Sequence, residues 1–189
     1  MSSNVIFSKV KNEYIPITIK KKLFRLGGVI SPYCEYYLYD KRKMVGVVQL
    51  LDKDYGCNVQ YVENCKPKEY KHVGYLADKL EVQHCLERGL DIFEIRSQAA
   101  NNSHALHYLR GKRFEGIATP EQICNLKKIF GTVNLKSFKY DNVVKYIIDH
   151  TPEGLLYYTK FLEQIPMYMP QCLIQKYVRE LTKHPLIIK

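Results

Sequence analysis

The sequence predicts an α/β fold: a mixed, mostly antiparallel sheet flanked by helices, with a helical C-terminal extension. Three observations carry this reading. Residues 36–63 fall into three runs rich in β-branched and aromatic side chains, separated by turn signals. After Pro67 the apolar period becomes helical, with Val73, Leu76, Ala77 and Leu80 on one face and a stop at Gly89. From Thr119 onward, helix-start signals recur to the end of the chain.

Taken in order, Val5-Ile6-Phe7 reads as a short strand. Pro16 to Leu26 reads as a helix, because Ile19, Leu23 and Leu26 share a face and Gly27-Gly28 follows as a stop. Tyr36–Tyr39, Met44–Leu51 and Cys57–Glu63 read as three strands of a meander, turned at Asp40–Lys43 and at Asp52–Gly56. Strict alternation puts Val59, Tyr61 and Glu63 on one face of the third strand. A helix ending at Glu87-Arg88-Gly89 follows, then Leu90–Ile95 as a strand, Ala105–Arg110 as a helix and Phe114–Ile117 as a short strand. Thr119-Pro120-Glu121-Gln122 has an N-cap, Pro at the first helical position and Gln in the capping-box place. Thr151-Pro152-Glu153 repeats the signal, and Asp141–Ile148 and Gln171–Leu181 carry helical periodicity, the latter with Leu173, Ile174, Tyr177, Val178 and Leu181 as a core-facing stripe. The expected division is a core at 1–118 and a mostly helical extension at 119–189.

The 189 residues suffice to bury roughly 70% of the unfolded surface without a disulfide or metal staple. Six widely spaced cysteines form no Cys-x-x-Cys pair, so neither a zinc ribbon nor a redox pair is suggested. No leading apolar stretch resembles a signal peptide, and no apolar run approaches the ~20 residues that cross a bilayer. Reduced thiols, a cytoplasmic setting and no membrane partner are expected. A net charge of +10, from 29 Lys+Arg against 19 Asp+Glu, favours polyanionic partners, nucleic acid included, although the basic residues form only short clusters. The chain lacks a Walker loop, a dinucleotide-binding glycine fingerprint and a Gly-x-Ser-x-Gly elbow. His104 and His107 stand at a spacing compatible with metal ligation, and His84 and Cys85 are further donors, but surface histidines explain them more simply and no metal is assigned.

One arrangement carries chemistry. An extended strand, Cys57–Glu63, feeds through a basic loop (Lys66, Lys68, Lys71, His72) into the start of a helix near Gly74. The first amides of a helix lack intrahelical partners and carry the positive end of the dipole, so a diphosphate suits this position. The alternative is an ordinary strand-to-helix crossover with a solvated basic loop.

These residues resemble the GCN5-related N-acetyltransferase (GNAT) superfamily of acyl-coenzyme A-dependent enzymes. Lys68-Glu69-Tyr70-Lys71-His72-Val73-Gly74-Tyr75-Leu76-Ala77 stands where that family has its Q/R-x-x-G-x-G/A pyrophosphate loop. Asn101 to Tyr108 with Phe114 resembles the segment N-x-x-A-x-x-x-Y that follows, with Ala105 one residue late. Glu69 replaces the usual Gln or Arg, and His72 the first Gly, where a side chain narrows the approach of a phosphate. The resemblance implies acyl transfer from acetyl-CoA or another acyl-CoA to an amine-bearing acceptor. It implies cofactor contacts at Lys71, His72, Val73, Gly74, Tyr75 and Asn101. It also implies carbonyl polarisation by the Cys57–Glu63 backbone, Tyr108 as the acid for the leaving thiolate, and Glu63 as the base. Each residue has a plainer reading as well: Tyr108 as packing, Glu63 as a solvated carboxylate, Asn101 as a helix cap. The departures leave open a catalytically degenerate module that binds a protein or nucleic acid, and the helical extension is compatible with a homodimer.

Overall fold

The computed structural model describes residues 4–26, 29–54, 56–99, 103–151 and 162–189. In chain order the strands are β1 (Val5–Ser8), β2 (Glu13–Pro16), β3 (Thr18–Leu26), β4 (Val29–Asp40), β5 (Lys43–Lys53), β6 (Gly56–Asn64), β7 (Tyr70–Lys71), β8 (Ile95–Ala99), β9 (Arg113–Phe114) and β10 (Ile165–Tyr168). The helices are α1 (Val73–Arg88), α2 (His104–Leu109), α3 (Pro120–Phe130), α4 (Tyr140–His150) and α5 (Gln171–Lys183). The fold is α/β with antiparallel strand pairing, and it divides into two compact units: Met1–Ile95 with Gln171–Lys189, and Arg96–Pro170. The expected boundary at residue 118 falls inside the second unit, and residues 171–189 of the expected extension belong to the first. The Gly27-Gly28 stop, Asn101 and the Pro152-Glu153 helix start lie outside the described residues.

In the first unit, β3-β4-β5-β6 form an antiparallel meander, and β7 joins the β1–β2 hairpin in a second small sheet. The helix expected at Pro16–Leu26 is instead the end of β2 and all of β3. Its apolar residues obey a period of two: Ile15, Ile17 and Ile19 are buried while Pro16 and Lys20 are exposed. β-Branched side chains suit a pleated surface, and Ile19 lies opposite Leu38 of β4, so pairing decides the segment.

A bulge in β6 changes which side chains share a face. Gln49 lies opposite Tyr61 and Leu50 opposite Val59, so Gln60 is the extra residue. Val59 is therefore on the α1 side with Leu50, while Tyr61 and Glu63 are on the opposite face with Gln49 and Val47. The alternation expected for all three residues fails at this bulge. Helix α1 packs on β5 and β6 and against α5, whose Leu173, Ile174, Tyr177 and Leu181 are buried. Leu90–Ile95 is a loop and a 3-10 turn at Ile92–Glu94 rather than a strand; Asp91 accepts a bond from the Phe93 amide and starts the turn, and β8 begins only at Ile95.

In the second unit β10 lies between β8 and β9, a strand that its Pro166 and the helical signals around it concealed. Its core gathers Ala99, Phe114, Leu126, Val144, Ile147, Ile165 and Met167. The capping box of α3 forms: the Gln122 amide donates to Thr119 Oγ1 at 3.2 Å, and the Thr119 amide to Gln122 Oε1 at 2.8 Å.

Candidate functional site

The approach to α1 is pinned on both sides. Asn64, the last residue of β6, donates to the Tyr70 carbonyl at 3.0 Å and accepts from the Lys66 amide at 3.0 Å. The Glu69 and Tyr70 amides turn back onto the Lys66 carbonyl. Lys9 donates from its amide to the Glu69 carbonyl and from its side chain to the Pro67 carbonyl. Strand β7 then pairs with β1, Phe7 opposite Lys71. Gly46 of β5 sits where the end of β6 and the start of α1 converge. A Cβ there would lie 2.9 Å from the Glu63 carbonyl oxygen and 2.8 Å from Val73 Cγ1.

His72 is the N-cap residue of α1 and adopts the left-handed conformation, φ 68° and ψ 9°. His is among the non-glycine residue types found more often in that region. Its side chain is turned onto the β1–β2 hairpin: Nδ1 is 2.9 Å from the Tyr14 hydroxyl, and the ring stacks on Tyr14 at 5.6 Å between centroids, with Tyr75 edge-on at 5.7 Å. No side chain caps α1, and no acidic residue lies in its first turn. Glu69, the residue of unfavourable charge for a diphosphate, is ion-paired with Lys43. Lys71 and His72 are exposed, Val73 is buried, Gly74 is half-buried and Tyr75 is partly exposed. The residues from Lys71 to Tyr75 therefore fit an anionic group at the helix N-terminus.

Glu63 is exposed near the end of β6, in the same unit, and accepts a 2.8 Å bond from the Tyr61 hydroxyl, which raises the phenol's pKa. Tyr108 belongs to the second unit. It is half-buried on α2, packs against that unit's core, and lies under the Arg113 guanidinium, 4.6 Å from the ring centroid. The pair His104 and His107 forms no common site. Nε2 of His104 is bound to the Glu163 carbonyl at 2.8 Å, and Nδ1 of His107 to the Arg110 guanidinium at 2.8 Å.

No family model matches the chain, and no curated protein matches it. Among solved structures, an acetyltransferase of Bacillus subtilis in complex with CoA is similar, with a TM-score of 0.46 and 11% identity, over 80% of this chain and 98% of that one. No helix among the described residues is long and apolar enough to cross a membrane.

Two polar clusters escaped the sequence reading. On the sheet face that carries Tyr61 and Glu63, the buried carboxylate of Glu35 accepts from the Tyr33 hydroxyl at 2.9 Å, from Gln49 at 2.8 Å and from the Tyr37 hydroxyl. Bonding from Tyr37 is the main cause of its lowered pKa, while burial and the Glu35 bond push Tyr33 up to about 12. On the α1 side, His84 bridges Asp52 and Tyr36, and burial lowers its pKa. Cys34 Sγ stands 3.6 Å from His84 Nδ1, but burial pushes its thiol up to about 11, which keeps it protonated and unreactive. The first cluster assembles from two strands by register, and the second from β4, β5 and α1 by packing.

Proposed function

We propose that the chain is an acyl-CoA-dependent N-acyltransferase that moves an acetyl or other acyl group to an amine. The observation that carries this reading is the start of α1: an uncapped helix N-terminus without acidic residues, entered through a left-handed His72 and flanked by Lys66, Lys68 and Lys71. Acyl-CoA would supply the activated acyl thioester. The first amides of α1 bind a diphosphate, and the side chains of the basic loop add charge around it. The bulge at Gln60 takes one residue of β6 out of the ladder, and a backbone N–H released in this way can stabilise negative charge developing on a carbonyl oxygen. Glu63 would accept the proton of an incoming ammonium, directly or through water, and the Tyr108 hydroxyl is a candidate proton donor.

Calorimetric titration with acetyl-CoA and with CoA tests the reading. Saturable micromolar binding is expected, with a thermal shift by mass action, and Gly74→Asp should abolish it by placing a carboxylate at the helix N-terminus. Tyr108→Phe should keep the binding and lower turnover about 10²- to 10⁴-fold. Undiminished binding by Gly74→Asp would remove the loop from the site. No heat at millimolar ligand would favour the module that binds a protein or nucleic acid. A steep fall of affinity with salt would then identify nucleic acid as its partner.

A further inference from the structure

The C-terminal half of α1 turns polar side chains onto the meander. There His84 and Cys85 face the end of β5 and the start of β6, where Asp52 lies opposite Cys57. His84 Nε2 is 2.5 Å from Asp52 Oδ1, and the donor atoms of Asp52, Cys57 and His84 all lie within 4.8 Å of one another. A four-coordinate ion with bonds of 2.0–2.3 Å sets its donors roughly 3.3–3.8 Å apart. Small side-chain movements therefore separate this cluster from a coordination shell. These three donors leave the fourth position of such a shell to a water molecule.

The surroundings are those of a ligand set. The second ring nitrogen of His84, Nδ1, is 2.8 Å from the Tyr36 hydroxyl, a fixed outer partner of the kind that orients metal-bound imidazoles. Arg88 holds Asp52 Oδ2 from two nitrogens, at 2.9 and 2.8 Å, and leaves Oδ1 directed at His84. Cys57, His84 and Cys85 are buried, so bound charge needs internal compensation.

We propose that Asp52 Oδ1, Cys57 Sγ and His84 Nε2, with a water in the fourth position, form a site for a thiophilic divalent cation of the zinc type. The Cys57 thiol releases its proton to solvent on binding, and the imidazole binds neutral. The Cys57 thiolate and the Asp52 carboxylate together balance the dication, while the buried Glu81 of α1 and the Arg88 guanidinium carry opposite charges beside it. The ion ties the β5–β6 end of the meander to the C-terminal half of α1. It acts apart from the chemistry at the other end of that helix. The rival state is metal-free, with Arg88, Asp52, His84 and Tyr36 as a closed hydrogen-bonded chain.

The test uses the full chain, free of any affinity tag, with the exposed Cys124 and Cys172 changed to Ser as the parent background. Added Co²⁺ should bind one per chain, with thiolate-to-cobalt charge-transfer absorption and the strong visible bands of a tetrahedral ion. Zn²⁺ should displace it and raise the unfolding temperature of the parent. Cys57→Ser should lower the Zn²⁺ affinity by roughly a hundredfold or more and remove the charge-transfer band. Asp52→Asn should keep the band but weaken binding, and it serves as the second variant if Cys57→Ser does not fold. A parent without the band and without a Zn²⁺-dependent thermal shift overturns the proposal. So does a band that survives in folded Cys57→Ser, or an affinity that Asp52→Asn leaves unchanged.

Discussion

His107 illustrates how a single side chain couples stability to pH. It sits half-buried on α2 with Nδ1 bound to Arg110, and desolvation, followed by the charges of Arg110 and Lys112 and the neighbouring His104, pushes its pKa well below the usual value for imidazole. The folded chain holds it neutral, whereas the unfolded chain protonates it near pH ~6.5. Its contribution is therefore fully present above about pH 6.5 and is lost as pH falls below that value. His107→Gln keeps an acceptor for Arg110 but cannot take up a proton. Between pH 7 and pH 5 the unfolding midpoint of the natural chain should fall further than that of His107→Gln, as urea titrations at both pH values would show. Equal losses would mean that His107 ionises alike in both states.

At the scale of elements, close approach separates two glycines that look alike in sequence. A Cβ on Gly56 would meet the Glu94 carbonyl oxygen at 2.4 Å, where backbone must move, whereas Gly89 has a left-handed φ of 66° and nothing within 4 Å. Gly56→Ala should therefore cost about 1–3 kcal/mol by overpacking, and Gly89→Ala about 1 kcal/mol from conformation alone. Denaturant unfolding would rank them, and a larger loss at Gly89 would contradict the steric account. The same contrast explains what the sequence made legible. The capping box of α3, the stripe of α5 and the Gly89 stop are local signals, and each marks its element. The run from Ile15 to Leu26 satisfied two periods at once, and only pairing with β4 settled it. The conformation of His72, the displacement of Gln60 and the convergence of Asp52, Cys57 and His84 all follow from register and long-range packing, which no window of sequence contains.

For the molecule as a whole, the last nineteen residues are part of the first unit's framework rather than an appendage to it. Gln83 of α1 exchanges two bonds with the main chain of Leu186, donating at 3.0 Å and accepting at 2.7 Å. Asn4 does the same with Ile187, at 2.6 and 3.0 Å, and Lys189 closes a backbone pair with Ile19 and Lys21. Each bond contributes about 1 kcal/mol net. Four buried side chains of α5 and Leu186 add burial worth roughly 1.5–3 kcal/mol apiece. These sums rival the 5–15 kcal/mol by which a typical domain is stable. A chain ending at Pro170 would also lose the bonds of Gln83 and Asn4 to the main chain of Leu186 and Ile187. Such a chain should lose amide protection in β3, β4 and α1, and with it any binding at the Lys71–Tyr75 loop, when compared with the full chain by hydrogen exchange. Protection retained across those elements would show that the first unit folds without its C-terminal strap, and that the hydrogen bonds to Asn4 and Gln83 are dispensable to it.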